Sequence, residues 1–323
     1  MNVFQLLLTV VTLGSILGVV SMAFNLQYGH GGMVNLGIAA YFAAGAYAFA
    51  VATLPPPSGV AQYALGLALS PWQGFLLAGA AGVVLALTTG PPALRLRGEY
   101  LAITTFAFAE VVGSILTNER RIGNGTLGLA GIPRPYRENF AGSDYNLLFA
   151  VASLVFALVV LLVLRRLIQS PYGRLIEAIS DDEVAVSTSG KSVARVRLAV
   201  FVLGALFTAW AGAFYVVYTQ FAVPTLFTAA FTFSIIVALV FAGPGSFWRA
   251  LGGMLVIVLF EEVVRRIPFN TLRSAQIASG LRITAFGLLL ILFLRWEPFT
   301  RTRLSQRLRR SRYGSLPEGS GPT

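Results

Sequence analysis

Nine times between positions 3 and 294 the chain runs through a long apolar stretch almost free of charge: 3–24, 33–54, 72–94, 100–117, 145–164, 198–219, 226–242, 247–260 and 283–294. A helix needs about 20 mostly apolar residues to cross the hydrocarbon core of a bilayer. Inside lipid, backbone N–H and C=O groups find no water, so a spanning segment must satisfy them itself, as a helix does. The pattern predicts an all-α polytopic membrane protein of about nine transmembrane helices, or ten if a re-entrant or broken segment counts separately. Composition agrees: 56% of residues are hydrophobic and 11% charged, against about 25% charged in an average soluble domain. The segment 226–242, followed by Gly243-Pro244-Gly245, is the predicted broken or short helix, because Gly and Pro interrupt it.

The charges then set an orientation. The formal net charge is +11, and in a membrane chain such an excess marks cytoplasmic loops and contact with anionic headgroups rather than nucleic acid. Arg165, Arg166, Arg174, Lys191, Arg195 and Arg197 crowd one loop, and seven arginines lie between 295 and 312. Both segments are expected in the cytoplasm. Counting spans back puts the N-terminus outside, the C-terminus inside and the Arg95/Arg97 turn inside. Arg265, Arg266 and Arg273 then fall outside, against the rule and partly offset by Glu261 and Glu262. No basic residue precedes the first apolar run, so 3–23 is expected to be a retained span rather than a leader. The organisation expected is one transmembrane domain over 1–300 with a cytoplasmic loop at 165–197, then a basic, disordered tail at 301–323.

Chemistry-bearing motifs are few. The chain has no cysteine and one histidine, His30, which excludes thiol chemistry and a multi-histidine metal site. Gly190-Lys191-Ser192 echoes the end of a phosphate-binding loop, but Ala185 stands where its first glycine belongs and no strand precedes it, so no ATPase site is expected. Asn124-Gly-Thr126 reads as part of a glycine-rich turn. Gly14 and Gly18 form a small-xxx-small pair suited to close helix packing. Glu110 is the one acid near the middle of a predicted span, where a carboxylate needs a partner or a water-filled cavity. Asn25, Gln27 and Asn35 flank the first glycine-rich break and are candidates, with Gly37 and Glu110, for a translocation pathway. In the basic loop, Ser170-Pro171 opens a turn, and Leu175, Ile179 and Val186 recur at helical intervals opposite Arg174, Asp181 and Asp182. One short amphipathic helix from about 174, ending near Gly190, is predicted.

Several of these segments carry a resemblance. Ser170-Pro-Tyr-Gly-Arg174, Glu183-Val-Ala185, Gly190 and Ala211-Gly-Ala-Phe-Tyr215 resemble the cytoplasmic loop and following helix of permeases from ABC importers of branched-chain amino acids, the LivM-type subunit in particular. Asn25-Leu-Gln27, Gly29–Gly32, Asn35-Leu-Gly37 and Gly45-Ala-Tyr47 are similar to the family's second-helix signature. Leu96–Ala102 is similar to its fourth-helix entry, and Gly123–Pro133 to its extracytoplasmic glycine-rich loop. The chain departs from the family at Val186-Ser-Thr-Ser189, which bears on the detailed docking surface. The resemblance implies a transport subunit without its own ATPase site or cofactor. ATP and Mg would be bound by two separate ATPase subunits, a second related permease would complete a heterodimer, and an extracytoplasmic binding protein would deliver leucine, isoleucine or valine. It further implies that the loop helix is the coupling element: Arg174 on its charged edge, Glu183 orienting the loop, Ala185 allowing close approach and Gly190 turning the chain back. Urea, short amides or other amino acids are alternative solutes within this layout. An ion-coupled secondary transporter and a scaffold without transport are the rivals from other classes.

Overall fold

A computed structural model of the chain describes residues 3–57, 63–96, 98–137 and 142–265. Eight of the nine predicted spans fall on described helices. These are α1 (Val3–Asn25), α2 (Ile38–Thr53), α3 (Pro71–Ala93), α4 (Glu99–Asn118), α6 (Gly142–Gln169), α9 (Val193–Thr219), α10 (Ala229–Ala242) and α11 (Phe247–Arg265), with the four-residue α5 (Arg120–Gly123) between α4 and α6. The ninth span and the basic tail lie outside the described residues. Among the described residues, six helical stretches are long and apolar enough to cross a membrane by themselves. Everything described belongs to one packing unit, Met1–Arg266.

The lengths follow from what each helix meets. α6, at 28 residues, is about 42 Å long and overshoots a 30 Å core, carrying Arg165 and Arg166 beyond it. α2 has 16 residues, about 24 Å. It need not meet lipid, for nearly every one of its residues is buried among α3, α4 and α9. α10 has 14 residues, and Gly243 and Gly245, both in the left-handed region, turn the chain after it into α11. This is the short, Gly/Pro-ended helix expected there.

Small residues set the packing. Lipid tails are as apolar as leucine, so membrane helices associate through close van der Waals fit rather than hydrophobic exclusion. A Cβ at Gly45 of α2 would fall on the Ala209 carbonyl of α9, and one at Gly212 of α9 on the Phe42 carbonyl of α2. Beside this seam sit Tyr41, Ala86, Phe201 and Ala205, and the Tyr41 hydroxyl meets Thr89 Oγ1 at 2.9 Å. Gly14 and Gly18 face Leu255 and Leu251, so the small-xxx-small pair is the groove that receives α11, running antiparallel to α1. On the side of the molecule away from the basic loop, the glycine-rich segment holds a two-residue strand, β1 (Leu129–Ala130), antiparallel to β2 (Phe221–Ala222). Arg134 Nη2 donates to the Tyr218 carbonyl at 2.7 Å and stacks over Tyr145, which fastens this segment to the ends of α6 and α9. Burial draws the Arg134 guanidinium below its ordinary range, partly offset by Tyr145.

Candidate functional site

The basic loop contains two helices where one was expected. α7 (Pro171–Asp181) starts at Ser170, whose hydroxyl accepts from Gly173 N at 3.3 Å, with Pro171 at the first helical position. The chain then breaks at Asp182, which is extended (φ −151°, ψ 99°), and α8 (Glu183–Thr188) follows. The break has a local cause. Asp182 Oδ1 accepts from both Val184 N and Ala185 N at 3.0 Å, an N-cap that competes with continuing the helix. The inward face of α7 is Gly173, Ile176 and Ile179, one residue off the predicted register at Leu175. No residue of α8 is buried, and Ala185 is exposed. Arg174 is exposed on α7, and Gly190, at φ +73°, turns the chain toward α9. Glu183 Oε2 accepts from Arg197 Nη1 of α9 at 3.3 Å, with the arginine side chain 14% exposed.

What α7 touches is the end of the first span. After α1 the helix widens into one π-helical turn, Leu26–His30, and residues 31–37 run irregularly before α2. His30 is buried, and its Nδ1 lies 3.0 Å from Glu177 Oε1 on α7, with the Phe247 ring of α11 packed 5.0 Å away. Three residues further along α7, the Ser180 hydroxyl lies against Gly32, where an added Cβ would sit 2.5 Å from it. α7 is thus seated directly on the helix break.

The irregular segment is held by the polar residues predicted near it. Gln27 Nε2 donates to the Phe201 carbonyl of α9 at 3.0 Å, and Asn35 Nδ2 donates to Gln27 Oε1 at 3.0 Å. Asn35 Oδ1 accepts from Gly37 N at 2.8 Å, and Leu36 N donates to Thr105 Oγ1 of α4 at 3.0 Å. Asn25 Oδ1 accepts from Gly245 N, in the turn after α10, at 2.9 Å. Irregular backbone is tolerated at membrane depth only where protein surrounds and satisfies it. Here Asn25, Gln27 and Asn35, all buried, hold it and tie α1 to α9 and to the turn after α10, while Leu36 N and Thr105 add the link to α4. Replacing Gln27 by Met would remove two of these bonds and leave Asn35 Nδ2 without its acceptor. The expected loss is about 1–2 kcal/mol, read as a lower midpoint when the detergent-solubilised protein is titrated with SDS.

The structure gathers Asn25, Gln27, Asn35 and Gly37 around this break and places Glu183 beside Arg197. Glu110 stands apart, exposed on α4. His30, Glu177, Ser180, Gly32 and Arg197 complete the arrangement and were not singled out for it by the sequence, where His30 served only to exclude a metal site. The available signal was weak: a lone histidine set among glycines at a helix break.

A sequence profile of the family described as the branched-chain amino acid transport system permease component matches residues 6–294. The chain belongs to that family. Among its relatives, the high-affinity branched-chain amino acid transport system permease protein LivM of Salmonella typhimurium is 29% identical over 311 residues, covering 90% of this chain and 68% of the relative. The Escherichia coli protein of the same name matches to the same extent. A probable branched-chain amino acid transport permease protein LivM of Methanocaldococcus jannaschii is 26% identical, covering 87% and 88%. No solved structure matches the chain. Membership in the family fixes the coarse features: an integral membrane protein, helical throughout its described spans, serving as the permease component of a transport system.

Proposed function

We propose that this chain is one of two membrane-spanning permease subunits of an ATP-driven importer of leucine, isoleucine and valine. Its N-terminus faces outside, and the loop carrying α7 and α8 faces the cytoplasm. Two separate ATPase subunits hold ATP and Mg beneath that loop, a related permease completes a heterodimer, and an extracytoplasmic binding protein delivers the solute. The chain has no ATPase site of its own. The observation that carries this reading is the seat of α7 on the break after α1, through His30–Glu177 and Gly32–Ser180.

A segment that passes ATPase motion into the membrane must offer an outward surface to the ATPase and a rigid contact to the gate. Exposed Arg174, Val184 and Ala185 supply the first. The second lies at the turn holding Gln27, Asn35 and Asn25, which link α1 to α9 and to the loop after α10. Glu183–Arg197 fixes α8 to α9, so both ends of the lever are tied to the bundle. Glu110 and the residues of the break border the solute path in this scheme.

The test is to purify the tagged chain in mild detergent with its partners and reconstitute the complex in liposomes. Two ATPase subunits and a second permease are expected, with leucine uptake that needs both ATP and the binding protein. Uptake by the chain alone under an ion gradient without ATP would replace this reading with a secondary transporter. Inserting Arg at Gly190 is expected to leave the complex assembled while lowering transport per ATP at least about tenfold. The left-handed backbone there (φ +73°) disfavours any side chain, and equal transport per ATP would remove the loop from the coupling path.

A further inference from the structure

Two tyrosines of α2, Tyr41 and Tyr47, are both buried, and their hydroxyls have different fates. The Tyr41 hydroxyl is paired with Thr89 Oγ1 of α3 at 2.9 Å. The Tyr47 hydroxyl is closed off from solvent and has no hydrogen-bond partner among the described residues. A buried tyrosine oxygen ordinarily finds a partner, because leaving it unpaired forfeits the bonds it made in water. An unpaired polar group kept inside a folded bundle calls for a reason beyond packing.

The surroundings of Tyr47 supply one. An added Cβ on Gly123 of α5 would fall on its ring, and the ring meets Phe227, two residues before α10, edge to face at 5.9 Å. Phe227 also meets Phe42 of α2 at 5.8 Å, and Phe231, in the first turn of α10, meets Phe42 at 4.6 Å. α2 is therefore held to its two neighbours in two ways. Against α9 it is fixed backbone to backbone, for the Phe42 carbonyl is itself pressed on Gly212. Against α10 the contact is ring on ring, and rings change rotamer while the backbone stays in place. At the far end of α10, Gly243 and Gly245 turn the chain, and Asn25, whose Oδ1 holds Gly245 N, has its Nδ2 buried and unpaired among the described residues. Both ends of α10 thus border a buried polar group with a bond to spare.

We propose that Tyr47 is a solute-contacting residue: the rings of Phe42, Phe227 and Phe231 form a constriction between α2 and α10 that the solute's aliphatic side chain passes, and the Tyr47 hydroxyl bonds its polar head. This rests on the importer reading above. The family transports branched-chain amino acids, whose side chains suit walls of uncharged rings. A phenol hydroxyl donates to a carboxylate and accepts from an ammonium, the two groups that leucine, isoleucine and valine share. The contact therefore serves all three solutes equally.

The experiment compares Tyr47→Phe with Tyr41→Phe in the whole complex, reconstituted in liposomes with ATP and the binding protein. Each substitution removes one oxygen and keeps the ring. Tyr47→Phe is expected to lower uptake of leucine, isoleucine and valine alike by about tenfold, the worth of one hydrogen bond to a charged group. Its midpoint in an SDS titration should be no lower than that of the unsubstituted complex, because no bond within the chain is lost. Tyr41→Phe should do the opposite, lowering the midpoint as Thr89 loses its partner and leaving uptake per folded complex unchanged. Normal uptake with Tyr47→Phe overturns the proposal. So does a lower midpoint with it, which would mean that a residue of the complex already holds the hydroxyl, and so does a loss confined to one of the three solutes. If the unsubstituted complex takes up none of them with ATP and the binding protein, the importer reading falls and this inference with it. Uptake that is normal in both the unsubstituted complex and Tyr47→Phe removes this inference alone.

Discussion

Gly45→Val is expected to prevent recovery of folded protein, at a cost of about 3 kcal/mol or more. A Cβ at this position falls on the Ala209 carbonyl, carbon and Cα, which are backbone atoms of α9 and have no rotamer to change. The helices could only move apart, and doing so would open the contact in which Gly212 meets the Phe42 carbonyl and Gly82 of α3 meets Ala209. In a soluble protein some of this loss would be recovered by hydrophobic burial elsewhere. Between membrane helices the exposed surface merely meets lipid, so fit is the term that decides. The matched control is Gly252→Val on α11, where an added Cβ meets nothing within 4 Å. Valine and glycine differ by only a few tenths of a kcal/mol in a helix, so this variant should extract and elute like the unsubstituted chain. The measurement is the yield of monodisperse protein after detergent extraction. Normal yield of Gly45→Val would mean that α2 and α9 are not in backbone contact.

That seam illustrates what a sequence of this kind discloses. The spans themselves are legible, because lipid forces every crossing segment to be apolar and helical, a constraint read locally, residue by residue. The Gly14/Gly18 pair could be read as a close-packing surface, and it is one. Which helix it receives could not be read: Leu251 and Leu255 look like any other leucines in an apolar run, and the match is made only when α11 turns back beside α1. Gly45 and Gly212 are likewise two glycines among many until the fold brings their backbones together.

The candidate site divides along the same line. Asn25, Gln27 and Asn35 stand out from sequence because amides are scarce in apolar runs. Their partners are 220, 174 and 8 residues away, and the two long-range acceptors and donors are backbone groups, Phe201 O and Gly245 N, which carry no side-chain signature. The single coupling helix was read across Asp181-Asp182-Glu183 because acids on one edge fit a solvated helix face. Asp182 instead caps α8, and an N-cap aspartate and a surface aspartate are the same letter unless the backbone on either side is known. His30 had no pattern to join, since Glu177 lies 147 residues further along the chain.

Gly32→Ala is expected to lower leucine uptake by the reconstituted complex at least about tenfold while the ATPase subunits remain bound. Two effects combine in that one methyl group. Gly32 is in the left-handed region at φ +63°, where a Cβ costs roughly 1–2 kcal/mol. The same Cβ points at Ser180 Oγ, 2.5 Å away, so the hydroxyl must leave its rotamer or α7 must shift off the turn that holds Gln27 and His30. The two effects separate in a double variant. Removing the hydroxyl with Ser180→Ala leaves the Ser180 Cβ at 3.4 Å, ordinary contact, so Gly32→Ala with Ser180→Ala should regain most of the uptake and retain only the backbone cost. Ser180→Ala alone should transport normally, which makes the recovery a measured coupling between the two positions rather than a general gain. Equal damage in Gly32→Ala and in the double variant would place the whole effect in the backbone turn and remove Ser180 from the contact. Normal uptake in Gly32→Ala would show that motion of α7 reaches the membrane by a route other than the Gly32–Ser180 contact, through His30–Glu177 or through Glu183–Arg197 at α8 and α9.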